Sequence, residues 1–218
     1  MAESPVDPAE TTHAAVSDQT VSALLGAIAR KSPAPGGGAV ASAAGALAAA
    51  LAGMVLAYSV GKKSLAQHAE AHERLTERAE QAGRRLLELA DADAEAYAHM
   101  NALQRLDAGD ERREAELPAA VQRCVDVPLE VQSACLALLV DFEQLAPIAN
   151  AWLLSDLKIA AILAEAALRA SACNVAVNVP ALRQNVGGAP AAAAERASDE
   201  ACDRGARLLR SIESRIDA

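Results

Sequence analysis

The sequence predicts an all-α fold, a bundle of six or seven helices arranged around a central helix of small residues. Apolar residues make up 52% of the 218-residue chain but aromatics only 2%, so helices must pack largely through alanine and leucine. No run of alternating Val, Ile or Thr has the period that a half-buried strand requires. The length suits one sizeable core better than two.

Residues 1–15 are polar and proline-containing, and read as a disordered leader; residues 16–218 read as a single helical domain. Ser17 or Asp18 can cap a first helix whose apolar stripe is Val21, Leu24, Leu25 and Ile28. The Ser32-Pro-Ala-Pro-Gly-Gly-Gly38 stretch breaks it. A second helix then opens and runs to about Ser59, with Ala41, Gly45, Ala49, Gly53 and Ala57 recurring every four residues as a ridge that lets another backbone approach closely. Residues 64 to about 106 form one long amphipathic helix or a kinked pair, followed by a charged turn at 107–116. Pro118 and Pro128 fit starts or kinks of a further helix ending near Leu145, and Pro147 interrupts the pattern. The nearly all-apolar segment 153–177 is a second core helix. After a glycine-containing loop at 184–190, Ala191 to Ile216 is a last amphipathic helix.

A formal net charge of −9 without a basic stripe excludes nucleic acid as a partner. Cys124, Cys135, Cys173 and Cys202 are widely spaced, and read as reduced core thiols of a cytoplasmic protein. The uncharged stretch from Ala39 to Val60 is long enough to cross a bilayer, but it is mostly Ala and Gly and no second span follows, so no membrane is expected. His68 and His72 lie one helical turn apart without an evident third ligand; they read as surface residues, and no metal is expected.

Four constellations could carry chemistry. Pro35-Gly36-Gly37-Gly38 at a helix start can adopt positive φ and present amides to an anion, or serve only as a tight connection. Lys62-Lys63 can meet an anionic substrate or simply complement a helix C-terminus. In Asp91-Ala-Asp-Ala-Glu-Ala-Tyr97, Asp91 and Glu95 share a face that Asp93 does not; such runs are commonly solvated, yet two mid-helix aspartates need a reason. Asn150, Ser155-Asp156, Asn174 and Asn178 either form a network or line a site, with helix capping as the plain role for Ser155-Asp156.

Together with Val127-Pro128-Leu129, the order and spacing of these pieces over 21–182 resemble the cyclodeaminase/cyclohydrolase family. The resemblance implies an all-helical homodimer with its folate site near the glycine loop and the subunit interface, and a tetrahydrofolate derivative as substrate with no separate cofactor. It implies either hydrolysis of 5,10-methenyltetrahydrofolate to 10-formyltetrahydrofolate, the leading expectation, or cyclisation of 5-formiminotetrahydrofolate with release of ammonia. A folate-binding or helical interaction protein without catalysis is the alternative from another class. Asp156, Lys62 and Asp93 are the implied catalytic residues, Asp156 foremost. Ser32, Pro35, Gly36, Gly37, Gly38, Lys63, Asn150, Ser155, Asn174 and Asn178 are the implied substrate-binding set. The expectation is that the triglycine turn and a buried Asp/Asn group stand side by side. Where the family often has Gly-Asn-x-Asn, this chain has Ala149-Asn150-Ala151-Trp152, and the family's Leu-Pro-Lys after the acidic helix is absent near Leu106-Asp107.

Overall fold

A computed structural model describes residues 15–32 and 34–217, so the leader read at 1–15 lies outside the described residues except for Ala15. Six α-helices and four short 3-10 turns follow one another, with no strand among the described residues.

A 3-10 turn, Val16–Asp18, precedes helix α1, Val21–Ile28. The cap of α1 is Thr20, whose hydroxyl accepts the Ala23 N–H at 3.2 Å, rather than Ser17 or Asp18. Its apolar stripe finds little cover: α1 has no buried residue, and Leu25 is 62% exposed.

Helix α2, Gly37–Ala57, packs between α3, Ala69–Gln104, and α5, Leu154–Asn185. A Cβ on Gly45 would come within 2.9 Å of the Cys135 sulfur and 3.2 Å of Leu86, so the small-residue ridge does bring neighbours close there. The ridge turns outward at Ala57, and α2 keeps one face open. By length and composition α2 could cross a membrane, but just over half of its apolar window is buried inside the bundle.

Helix α4, Glu111–Leu145, is continuous through both Pro118 and Pro128. The charged segment expected as a turn is largely its first turns, capped by Asp110, whose carboxylate accepts the Arg112 and Arg113 N–H groups at 2.9 and 3.1 Å. The expected loop at 184–190 contracts to Val186-Gly187, with Gly187 at φ 138°, before α6, Gly188–Ile216. Pro190 sits in the first turn of α6, where its missing N–H has no intrahelical partner to lose. The main apolar cluster runs through α2 to α6, with Leu86, Leu139, Phe142, Leu157 and Leu168 among its fully buried members. The cysteines are all free; Cys124 and Cys135 are buried, but Cys173 is exposed rather than a core thiol.

Candidate functional site

The candidate residues collect at the two ends of α2. Its 21 residues span about 30 Å at 1.5 Å per residue. Because α5 runs antiparallel to it, Asn174 meets Gly37 at one end and Asn150 meets Ser59 at the other.

At the glycine end, Gly36 to Gly38 all avoid positive φ, contrary to the conformational reading of the triglycine. Gly38 is there for space: a Cβ would lie 2.0 Å from one Asp93 carboxylate oxygen and 2.4 Å from the other. Asp93, projecting from α3, accepts the Ala39 N–H and so caps α2 from outside. Burial raises the pKa of Asp93 above the ordinary aspartate value of 3.8, and the Ala39 N–H opposes the shift. Burial, reinforced by the Asp93 charge, pushes the Cys124 thiol up to about 11, which rules out a resting thiolate there. Asp91, two residues earlier and so about 200° around α3, serves the Val16–Asp18 turn: its carboxylate accepts the Val16 N–H and, at 2.8 Å, the Ser17 hydroxyl. Both aspartates therefore have reasons to interrupt an alanine-rich helix, and Glu95 is exposed.

The two asparagines of α5 divide. The Oδ1 of Asn174 lies 3.5 Å from the position of a Gly37 Cβ, and its side chain makes no hydrogen bond among the described residues, so its amide is open to a ligand. The Asn178 amide donates to the Cys124 carbonyl at 2.9 Å and the Asn174 carbonyl at 3.0 Å. Cys124 stands four residues before Pro128, which has no N–H to offer that carbonyl, so Asn178 supplies the missing donor. Ser32 closes the glycine loop by donating its hydroxyl to the Ala34 carbonyl at 2.8 Å, and Pro35 is buried beside it.

At the other end, the Lys62 ammonium donates to Asn150 Oδ1 at 2.7 Å and makes no ion pair among the described residues. Asn150, 6% exposed, is held from three sides: its N–H donates to Ser59 Oγ, its amide to the Tyr58 carbonyl, and its Oδ1 also accepts the Trp152 N–H. Lys62 and exposed Lys63 line a cavity of about 600 Å³ with Leu65, His72, Glu73 and Glu77. Ser155 and Asp156 sit in the first turn of α5 at this same end; Asp156 is partly exposed and has no hydrogen-bond partner among the described residues. Along α5, Asp156 is about 27 Å from Asn174 at 1.5 Å per residue, so one chain does not bring Asp156 beside Gly37.

His72, expected at the surface, is instead 1% exposed, its Nε2 bonded to the Ile148 carbonyl at 2.9 Å. A signal for this exists in the sequence: His72 leads the stripe Leu75, Ala79, Leu86 and Leu89, which is the buried face of α3. His68 is partly exposed and edge-on to His72. Among the described residues no three His, Cys, Asp or Glu side chains gather as metal ligands.

Comparison with known proteins adds to this geometry. The model of the family described as formiminotransferase-cyclodeaminase matches residues 20–194. The chain is 32% identical to a methenyltetrahydrofolate cyclohydrolase of Methylorubrum extorquens, over 76% of this chain and 81% of that protein. It is 31% identical to the formimidoyltransferase-cyclodeaminase of Rattus norvegicus over 78% of this chain, but spans only 32% of that protein. Its structure matches that of a formiminotetrahydrofolate cyclodeaminase from Thermotoga maritima with a TM-score of 0.84 and 27% identity, covering 93% of this chain and 98% of the other.

Proposed function

The chain belongs to the formiminotransferase-cyclodeaminase family, whose named members are folate one-carbon enzymes, and we propose that it hydrolyses 5,10-methenyltetrahydrofolate to 10-formyltetrahydrofolate. The observation that carries this reading is Asp93, a carboxyl group with a raised pKa set against Gly38 at the amide-rich start of α2, where the neighbouring Gly37 faces the open amide of Asn174.

The bridge carbon of the substrate shares a positive charge between N5 and N10. Asp93 takes a proton from water as the oxygen adds to that carbon, and the resulting tetrahedral centre is neutral. The same carboxyl returns its proton to N5. The carbon–N5 bond then breaks, and the hydroxyl loses its proton to become the formyl carbonyl on N10, so that one proton is released overall. A carboxyl with a raised pKa is better matched to this traffic near neutrality than an ordinary aspartate. The Gly37 and Gly38 amides and Asn174 orient the pterin, while Lys62 and Lys63 anchor the carboxylates of the glutamate tail.

The protein acts as a homodimer. The open face of α2, with Val40, Leu47 and Met54 and then Tyr58 at its C-cap, adjoins that of α5, with Ile159 and Val177, and no charged residue of α2 interrupts it. Trp152, 88% exposed, stands at the edge of the same end as Lys62. An uncharged surface of this extent favours a second copy over water. A two-fold axis across the middle of α2 sets the Gly37–Asp93 end of one copy against the Lys62–Asp156 end of the other, so each site draws on both. The free cysteines support a reducing, cytoplasmic setting.

The near-ultraviolet absorbance of the methenyl compound tests the reaction. Loss of that absorbance faster than in buffer supports hydrolysis. Absorbance gained from 5-formiminotetrahydrofolate with ammonia release, and no loss from the methenyl compound, assigns the cyclodeaminase reaction named for the Thermotoga maritima structure. Folate binding without either change removes the enzymatic reading.

A further inference from the structure

We infer that His72 and Ser59 are positioning residues that aim Lys62 at the substrate's anionic tail, an inference that rests on the role given to Lys62 above.

A lysine side chain on the edge of a cavity ordinarily samples many rotamers, and fixing it loses conformational entropy. Here the fixing is built in. The Asn150 side chain can point only one way, because Lys62 donates and never accepts, so Oδ1 must face the ammonium and Nδ2 the Tyr58 carbonyl. Ser59, wholly buried, uses its hydroxyl twice: it donates to the Val55 carbonyl at 2.7 Å and accepts the Asn150 N–H at 2.9 Å. His72 holds the other side of the same turn. A carbonyl oxygen only accepts, so Nε2 carries the hydrogen, and its bond to Ile148 fixes the backbone two residues before Asn150.

The side chains of His72, Ser59 and Asn150 are each at least nine-tenths buried and come from α3, the turn just after α2 and the connection before α5; the first two fix the backbone around Asn150, and Asn150 alone contacts the ammonium. The Asn150 contact is uncharged, so it orients the ammonium without neutralising it. The cation remains available to a carboxylate in the cavity that His72 also lines. A network that served packing alone would have no reason to end on a part-buried lysine facing that cavity.

The test compares two substrates, methenyltetrahydrofolate and its tail-less counterpart methenyltetrahydropteroate. Lys62→Ala is expected to raise KM for the tailed substrate about tenfold and leave the tail-less one unchanged, as for loss of one charge-assisted contact. His72→Leu and, independently, Ser59→Ala should each reproduce a tail-dependent rise in KM with kcat little altered, and add nothing in a Lys62→Ala background. His72→Gln, which keeps a donor toward Ile148, should restore part of the wild-type value. Equal changes for both substrates, or none in the His72 and Ser59 variants while Lys62→Ala responds, overturns the positioning role and leaves the reading of Lys62 intact. An unchanged KM in Lys62→Ala overturns both. Should His72→Leu fail to fold, Ser59→Ala decides the question.

Discussion

Gly38 and Asp93 contest one small volume, and the outcome is a carboxyl group placed where a helix start needs a hydrogen-bond acceptor. Gly38→Ala forces the Asp93 carboxylate aside; thermal unfolding should show a loss of about 1–3 kcal/mol, as for overpacking elsewhere, accompanied by a fall in kcat. Asp93→Asn should lower kcat at least about 100-fold, the range expected for removing a general acid–base group. Its effect on stability runs the other way. Because the folded pKa is raised, the contribution of Asp93 to stability is complete below the unfolded value of 3.8 and is lost as pH rises through the native one. Melting curves should therefore place Asp93→Asn above wild type at neutral pH, with the gap closing toward pH 4. Much of this is legible in the residues: a triglycine at a helix start and two mid-helix aspartates each ask for a reason. Their partnership is not, since the sequence carries no sign that Gly38 is a glycine for want of space rather than for positive φ. The Ser-Asp motif points to Asp156, whereas the carboxyl group packed against the glycine turn is Asp93.

The helices show where periodicity informs and where it misleads. The long amphipathic segments are present at close to their expected limits, because a wet face opposite Leu75, Leu86 and Leu89 leaves one orientation. Pro118 and Pro128 suggest a boundary that α4 does not have, and at Pro128 the reason lies outside the helix: Asn178 of α5 satisfies the Cys124 carbonyl that Pro128 leaves without a donor. Asn178→Ala should thus cost about 1–3 kcal/mol in denaturant unfolding. In a Pro128→Ala background the restored N–H takes that carbonyl, and the same change should cost less by roughly 1 kcal/mol. Equal costs in the two backgrounds would deny the compensation. His72 illustrates the opposite case, a polar residue whose place on the apolar stripe with Leu75 and Ala79 is readable from its spacing.

The whole molecule explains why the candidate residues do not meet within one chain. Two polar ends are separated by the length of α2, and the surface between them is apolar and open on α2 and α5. Composition could foretell a small-residue helix but not which of its faces the bundle leaves uncovered. Leu47 lies near the middle of that face and is 62% exposed. In the homodimer proposed above, Leu47→Asp should yield a monomer in sedimentation while the helical circular dichroism is retained, with activity lost. A shared site also has an arithmetic of its own. When Asp93→Asn and Lys62→Glu chains carrying different tags are co-expressed and the hybrid dimer is isolated, one of its two sites receives both defects and the other receives neither. At substrate well below KM, that hybrid is predicted to show about half the wild-type activity although each parent dimer is impaired at both sites. A hybrid no more active than the two parents would mean that each chain completes its own site.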